Sequence, residues 1–114
     1  MVPHFDWSQE YPLDLARLCA ALERYGAERA IVFGSYARGD FDELSDVDLV
    51  VIKQTASPYF QRASELAALL PFGRVDAFVF TPEEFEKMKA RGNALAEIVE
   101  TEGVILYERA QGAT

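Results

Sequence analysis

The 114-residue chain has one cysteine, one histidine and one tryptophan. A lone Cys19 excludes an intramolecular disulfide. It lies among Leu18, Ala20 and Leu22 in a helical pattern and reads as a packed structural thiol. His4 stands near the N-terminus, where a surface residue is expected rather than a base or a ligand. No apolar run approaches the roughly 20 residues that a membrane-crossing helix needs. No basic segment followed by an apolar run opens the chain, so no signal peptide is expected and the predicted location is cytoplasmic. Basic residues are scarce: 11 Lys and Arg face 19 Asp and Glu, for a formal charge of −8. They form no cluster. Such a chain is repelled by nucleic acid and by anionic membranes, which argues against a polymerase gripping a template and leaves room for a basic protein partner.

What is present is a dense stretch from Gly34 to Leu49. A Gly34-Ser35 pair follows the apolar run Ala30-Ile31-Val32-Phe33. Asp46 and Asp48 follow, one valine apart, and Leu49-Val50-Val51-Ile52 continues as strand-like text. Strand residues alternate in direction, so Asp46 and Asp48 share a face. Paired carboxylates repel unless a cation lies between them, and hard oxygen donors with no Cys or His nearby point to Mg²⁺ rather than zinc. A Gly-Ser turn opening a short helix offers backbone N–H groups to a phosphate. Together these read as metal-assisted chemistry on a nucleoside triphosphate. The plainer alternative makes Asp46 a turn cap, Asp48 solvent-facing and Ser35 an ordinary N-cap. Arg38 either reaches a triphosphate or pairs with Asp40 or Asp42. Asp76 shares its strand face with Phe78 and Phe80, and a carboxylate in that company needs a partner or a metal.

Half of the residues are hydrophobic, which is enough for one core and one domain over residues 1–114, with an aromatic arm at 1–11 and a tail at 109–114. The pattern predicts a helix over Pro12–Tyr25, a strand over Arg29–Phe33, a short helix over Ser35–Arg38 and a strand over Val47–Lys53. A helix capped by Ser57 with Pro58 in its first turn follows, its apolar stripe made of Phe60, Ala63, Ala67 and Leu70. A strand over Arg74–Phe80 precedes the capping box Thr81-Pro82-Glu83-Glu84 and its helix. A last helix starts from Asn93, with Leu95, Ile98 and Val99 inward, and a strand over Val104–Tyr107 closes the chain. Alternating strands and helices predict an α/β sandwich (α+β in its mixed sheet) of about four strands packed with helices.

The spacing Gly34-Ser35, ten residues, Asp46-x-Asp48 resembles the nucleotidyltransferase superfamily that includes DNA polymerase beta. Ala37-Arg38-Gly39, Ser45-Asp46, Asp76 within Arg74–Phe80 and the closing Glu102–Glu108 text are similar to it as well. The size is that of its minimal members, the MNT antitoxins paired with HEPN toxins. Tyr36 stands where many relatives carry Arg. The resemblance implies the nucleotidyltransferase fold. It implies two Mg²⁺ ions held by Asp46, Asp48 and Asp76 as metal-binding and catalytic residues, with Gly34, Ser35 and Arg38 holding ATP. It further implies transfer of AMP to a tyrosine of a HEPN partner in a homo- or hetero-oligomer. A module that merely masks its toxin, and an enzyme modifying a small molecule with help from another chain, are the rival readings.

Overall fold

A computed structural model of the chain describes residues 2–110. In chain order these form α1 (Leu15–Tyr25), β1 (Arg29–Phe33), α2 (Ser35–Arg38), β2 (Val47–Ile52), α3 (Tyr59–Ala67), β3 (Val75–Phe80), α4 (Pro82–Ala90), α5 (Ala94–Glu102) and β4 (Val104–Glu108). The strands make a four-stranded sheet in the order β3-β2-β1-β4. β2 and β3 run parallel, joined through α3, while β1 is antiparallel to both of its neighbours. The mixed α/β architecture expected from the pattern is therefore the one observed.

β2 reads as a continuous apolar run after Asp48 because both of its faces are covered. Val47, Leu49 and Val51 pack with Leu18, Leu22 and Leu66 from α1 and α3. Val50 and Ile52 face the other way, onto Phe85 and Met88 of α4 and Ala96 and Val99 of α5. Each such fully buried aliphatic side chain stabilises the fold by about 1.5–3 kcal/mol. The N-terminal arm closes the β4 edge. Ile105 donates its N–H to the Pro3 carbonyl at 2.7 Å, and Phe5 donates to the Ile105 carbonyl at 2.9 Å. Phe5 is buried in the core that α1 lines. Met1 of the predicted arm and residues 111–114 of the predicted tail lie outside the described residues. Cys19 packs on that core with its thiol pushed up to about 11 by burial, as a structural thiol should be.

Four local expectations change. α1 starts at Leu15 rather than Pro12, because the Asp14 side chain accepts the Arg17 N–H and serves as N-cap. Ser57 does not cap α3. Its hydroxyl goes to Glu65, and Pro58 occupies the cap position. The predicted Phe60–Ala63–Ala67 stripe of α3 faces solvent, with Phe60 75% exposed, while Arg62 and Leu66 point inward. The reason is Arg62. Its guanidinium finds the Ser57 and Val79 carbonyls and the Glu84 carboxylate, so each of its three nitrogens has an acceptor. In α5, Val99 is buried as expected, but its partner is Ala96, and Ile98 is exposed. The Thr81 capping box forms in full, Thr81 Oγ1 accepting from Glu84 N and Glu84 accepting from Thr81 N.

Candidate active site

β1 ends at Phe33 and the chain turns sharply at Gly34, which caps α2 with φ +74°. That angle disfavours any residue with a Cβ. Space forbids one too: a Cβ at Gly34 would collide with the Asp48 carboxylate. The turn and the Asp-x-Asp strand therefore meet at one point, which the register explains, since Phe33 pairs with Asp48 across β1 and β2. On the other side Asp48 pairs with Asp76 in the parallel β2–β3 ladder. Asp48 and Asp76 thus lie side by side at one end of the sheet, on the face that Phe33 and Phe78 continue toward α4 and α5.

Asp46 precedes β2 and is largely exposed. Its carboxylate leans toward Arg74, 3.9 Å away. Among the described residues, no three His, Cys, Asp or Glu side chains converge tightly enough to hold a metal ion as they stand. Like charges on one rim lower their energy by separating, and the Arg74 guanidinium draws Asp46 outward. Asp48 cannot lean away. Burial, and then the neighbouring Asp76 and Asp46, push its carboxyl above the usual aspartate range, while Arg38 pulls it partly back. A half-buried carboxylate pressed by two others, with all-oxygen donors and Gly34 keeping the space open, fits a hard divalent cation.

Ser35 is the first residue of α2 and makes no side-chain cap. Gly34 takes the cap position instead, which leaves the Ser35 hydroxyl uncommitted to the helix. Arg38 pairs with Asp40 at 3.2 Å, one of the two sequence readings, and also with Glu102 at 3.5 Å. Tyr36 is buried and stacks on Phe41 at 4.7 Å. It packs in the core. Phe41 in turn meets Tyr11, and Tyr11 meets Phe5, so the arm braces the acidic loop that leads to Asp46. Asp42 and Ser45 lock that loop through reciprocal hydrogen bonds.

The match to the nucleotidyltransferase domain model covers residues 18–72, including Gly34, Ser35, Asp46 and Asp48. A candidate protein adenylyltransferase of Methanocaldococcus jannaschii, MJ0604, is 33% identical over 70% of this chain and 78% of its own length. The chain belongs to the nucleotidyltransferase family. A second candidate protein adenylyltransferase of that organism, MJ0141, is 64% identical over 25 residues, 22% of this chain and 25% of its own. Solved structures share the fold. A candidate nucleotidyltransferase from Sulfolobus solfataricus superposes with a TM-score of 0.60 at 21% identity, covering 94% of this chain and 96% of that one. A toxin–antitoxin structure containing AMP-PNP superposes at 0.58 and 22% identity, covering 87% and 77%.

Two residues of this nucleotidyltransferase touch the site without having been assigned a role from sequence. Glu102, at the end of α5, accepts the Gly34 N–H at 3.1 Å and meets Arg38. Arg74 holds Asp46 and donates to the Glu43 carbonyl at 2.5 Å. Glu102 had one legible signal: a carboxylate in the last turn of a helix opposes the helix dipole and needs a donor elsewhere. A cleft of about 910 Å³ opens over the same sheet face near Ile31, Ile52 and Phe85. It lies at the end away from Asp48 and gathers none of the predicted site residues.

Proposed function

We propose that this chain transfers AMP from ATP, in the presence of Mg²⁺, to a hydroxyl on a protein partner, and that the partner is a HEPN-type toxin modified on tyrosine. The single observation that carries the reading is the junction at Gly34, Asp48 and Asp76. A backbone turn without a Cβ lies directly against a half-buried carboxylate whose strand neighbour is another carboxylate. Asp46, Asp48 and Asp76 would hold the divalent ions, which when bound neutralise the triphosphate and ease deprotonation of the acceptor hydroxyl. For Asp46 this takes a turn of its side chain away from Arg74.

The chain's own groups then divide the work. Gly34 lets the polyphosphate come close to the backbone, and Ser35 offers its hydroxyl and N–H. Arg38 supplies a counter-charge. Asp76 accepts the proton of the acceptor hydroxyl. The acceptor oxygen forms a bond to the α-phosphorus, the bond from that phosphorus to the bridging oxygen breaks, and pyrophosphate leaves. A protein acceptor is favoured by the relatives named as candidate protein adenylyltransferases and by the fold shared with toxin–antitoxin structures. One of those is an MntA-HpeT mutant with two Asp-to-Glu changes two residues apart, which superposes at a TM-score of 0.57 and 20% identity. The formal charge of −8 suits a basic partner.

The test incubates the chain and a HEPN-type partner with α-labelled ATP and Mg²⁺. Label on a partner tyrosine, lost with Asp76→Asn while the complex persists, is the expected result. A stable complex that silences the partner's ribonuclease without ever becoming labelled would instead support masking.

A further inference from the structure

The Gly34 backbone, where the polyphosphate comes close, and Arg38, its counter-charge, already share an anion from within the chain. The Gly34 N–H donates to Glu102 Oε1 at 3.1 Å, and Arg38 Nη1 stands 3.5 Å from that same oxygen. One carboxylate oxygen bridging a turn amide and a guanidinium does what a phosphate oxygen does at such a site. We infer that Glu102 is a displaceable stand-in for the polyphosphate, a further residue of the nucleotide site that sets its affinity. The inference rests on the nucleotide-site reading above.

Four features support exchange over a permanent brace. Glu102 ends α5, whose last turn carries no basic residue, so the helix dipole disfavours its charge and the contact is only partly compensated. Its side chain is one-third exposed, so it can leave into water without rebuilding the core. Arg38 stays bonded to Asp40 on its Nε side when Nη1 is released, so the guanidinium remains aimed. Gly103, which follows, is packed against Ile31 and the Val99 carbonyl, so the helix end is fixed and the movement is confined to the Glu102 side chain. A weakly charged anion gains little by displacing a carboxylate. A triphosphate brings enough charge to win the exchange.

Isothermal titration of inorganic triphosphate with Mg²⁺ into the wild-type chain and into Glu102→Gln tests this. Glu102→Gln should bind roughly tenfold more tightly, because the competing charge is gone while the helix end keeps its shape. Glu100→Gln removes the same charge from the same helix, beside Lys89, and should leave affinity unchanged. In the wild type, the Gly34 amide resonance should move as triphosphate replaces the carboxylate, which needs no variant. Equal or weaker binding by Glu102→Gln, or a Gly34 amide that stays still while the wild type binds, overturns the stand-in and leaves the nucleotide site intact. No binding by either protein overturns both.

Discussion

Arg62–Glu84 and Arg38–Glu102 each join an arginine on one element to a glutamate on another, and they could hardly be built more differently. Arg62 is buried on α3. It donates to Glu84 through both terminal nitrogens and to the Val79 and Ser57 carbonyls besides. Glu84 is further held by the Thr81 N–H. Nothing there is free to exchange. Arg38 is half exposed and is shared between two carboxylates at 3.2 and 3.5 Å. The first pair locks α3, α4 and β3 together. The second holds its charge in reserve next to Asp48. A saturated ion pair marks structure, and a half-satisfied one beside crowded carboxylates marks a place where a ligand changes the pairing.

The largest effect that could break this contrast is on chemistry. Asp48→Asn should lower nucleotide transfer roughly a thousandfold, on the order seen when one preorganised charge is removed from a reacting centre. Steady-state transfer of label from α-labelled ATP, with folding checked by circular dichroism, reads it. Wild-type turnover by this variant would move the active site elsewhere.

Next comes stability. Arg62→Ala strands the Val79 and Ser57 carbonyls and should cost about 3 kcal/mol in urea unfolding. Arg38→Ala should cost less than about 1 kcal/mol, as an exposed pair does. Equal losses would erase the distinction between the two corners. Thr81→Ala removes half of the capping box on α4 and should cost about 1 kcal/mol by the same measurement.

The smallest effect is one of sign. Asp48 is pushed above its ordinary value of 3.8, so its ionisation opposes folding above that raised value, and the penalty is absent below 3.8. Asp48→Asn should therefore melt slightly higher than wild type at neutral pH, with the gain vanishing as pH falls toward 3.8. Glu84 is held below its ordinary value of 4.5, first by the Arg62 hydrogen bond and then by the Thr81 N–H. Its contribution is full above 4.5 and fades as pH falls through its lowered value. Glu84→Gln should thus melt lower than wild type at neutral pH, with a deficit that shrinks in acid. Paired melts from pH 7 to pH 3 check both slopes, and a common sign for the two variants would contradict the comparison.

The order of the secondary-structure elements was legible because it follows from local rules, whereas the meeting of Gly34 with Asp48 depends on the register of β1 against β2. Alternation along β2 places Asp48 on the face opposite Val47 and Leu49, and only a residue without a Cβ fits against it. Asp76 was legible as sharing a face with Phe78 and Phe80, but at the sheet end its side chain is exposed rather than enclosed by them. Glu102 was not legible: its place in the last turn of α5 signals only that it needs a donor, and the donor, Gly34, lies 68 positions away in sequence. The inward turn of Arg62 was hidden for a related reason. Hydrophobic periodicity assigns an arginine to solvent, and only the tertiary structure supplies the four acceptor contacts that reverse the assignment. The stripe of Phe60, Ala63 and Ala67 was misread through the same rule.

The central claim is that Asp46, Asp48 and Asp76 form an Mg²⁺-dependent ATP site. The direct measurement is thermal unfolding of wild type and Asp48→Asn with ATP at about 100 times its dissociation constant, with and without Mg²⁺. Binding linkage predicts about 2.7 kcal/mol of added stability for wild type when both are present, and little for ATP alone or for the variant. A wild-type protein unmoved by Mg²⁺ and ATP together, or an Asp48→Asn variant stabilised as much as wild type, would contradict it.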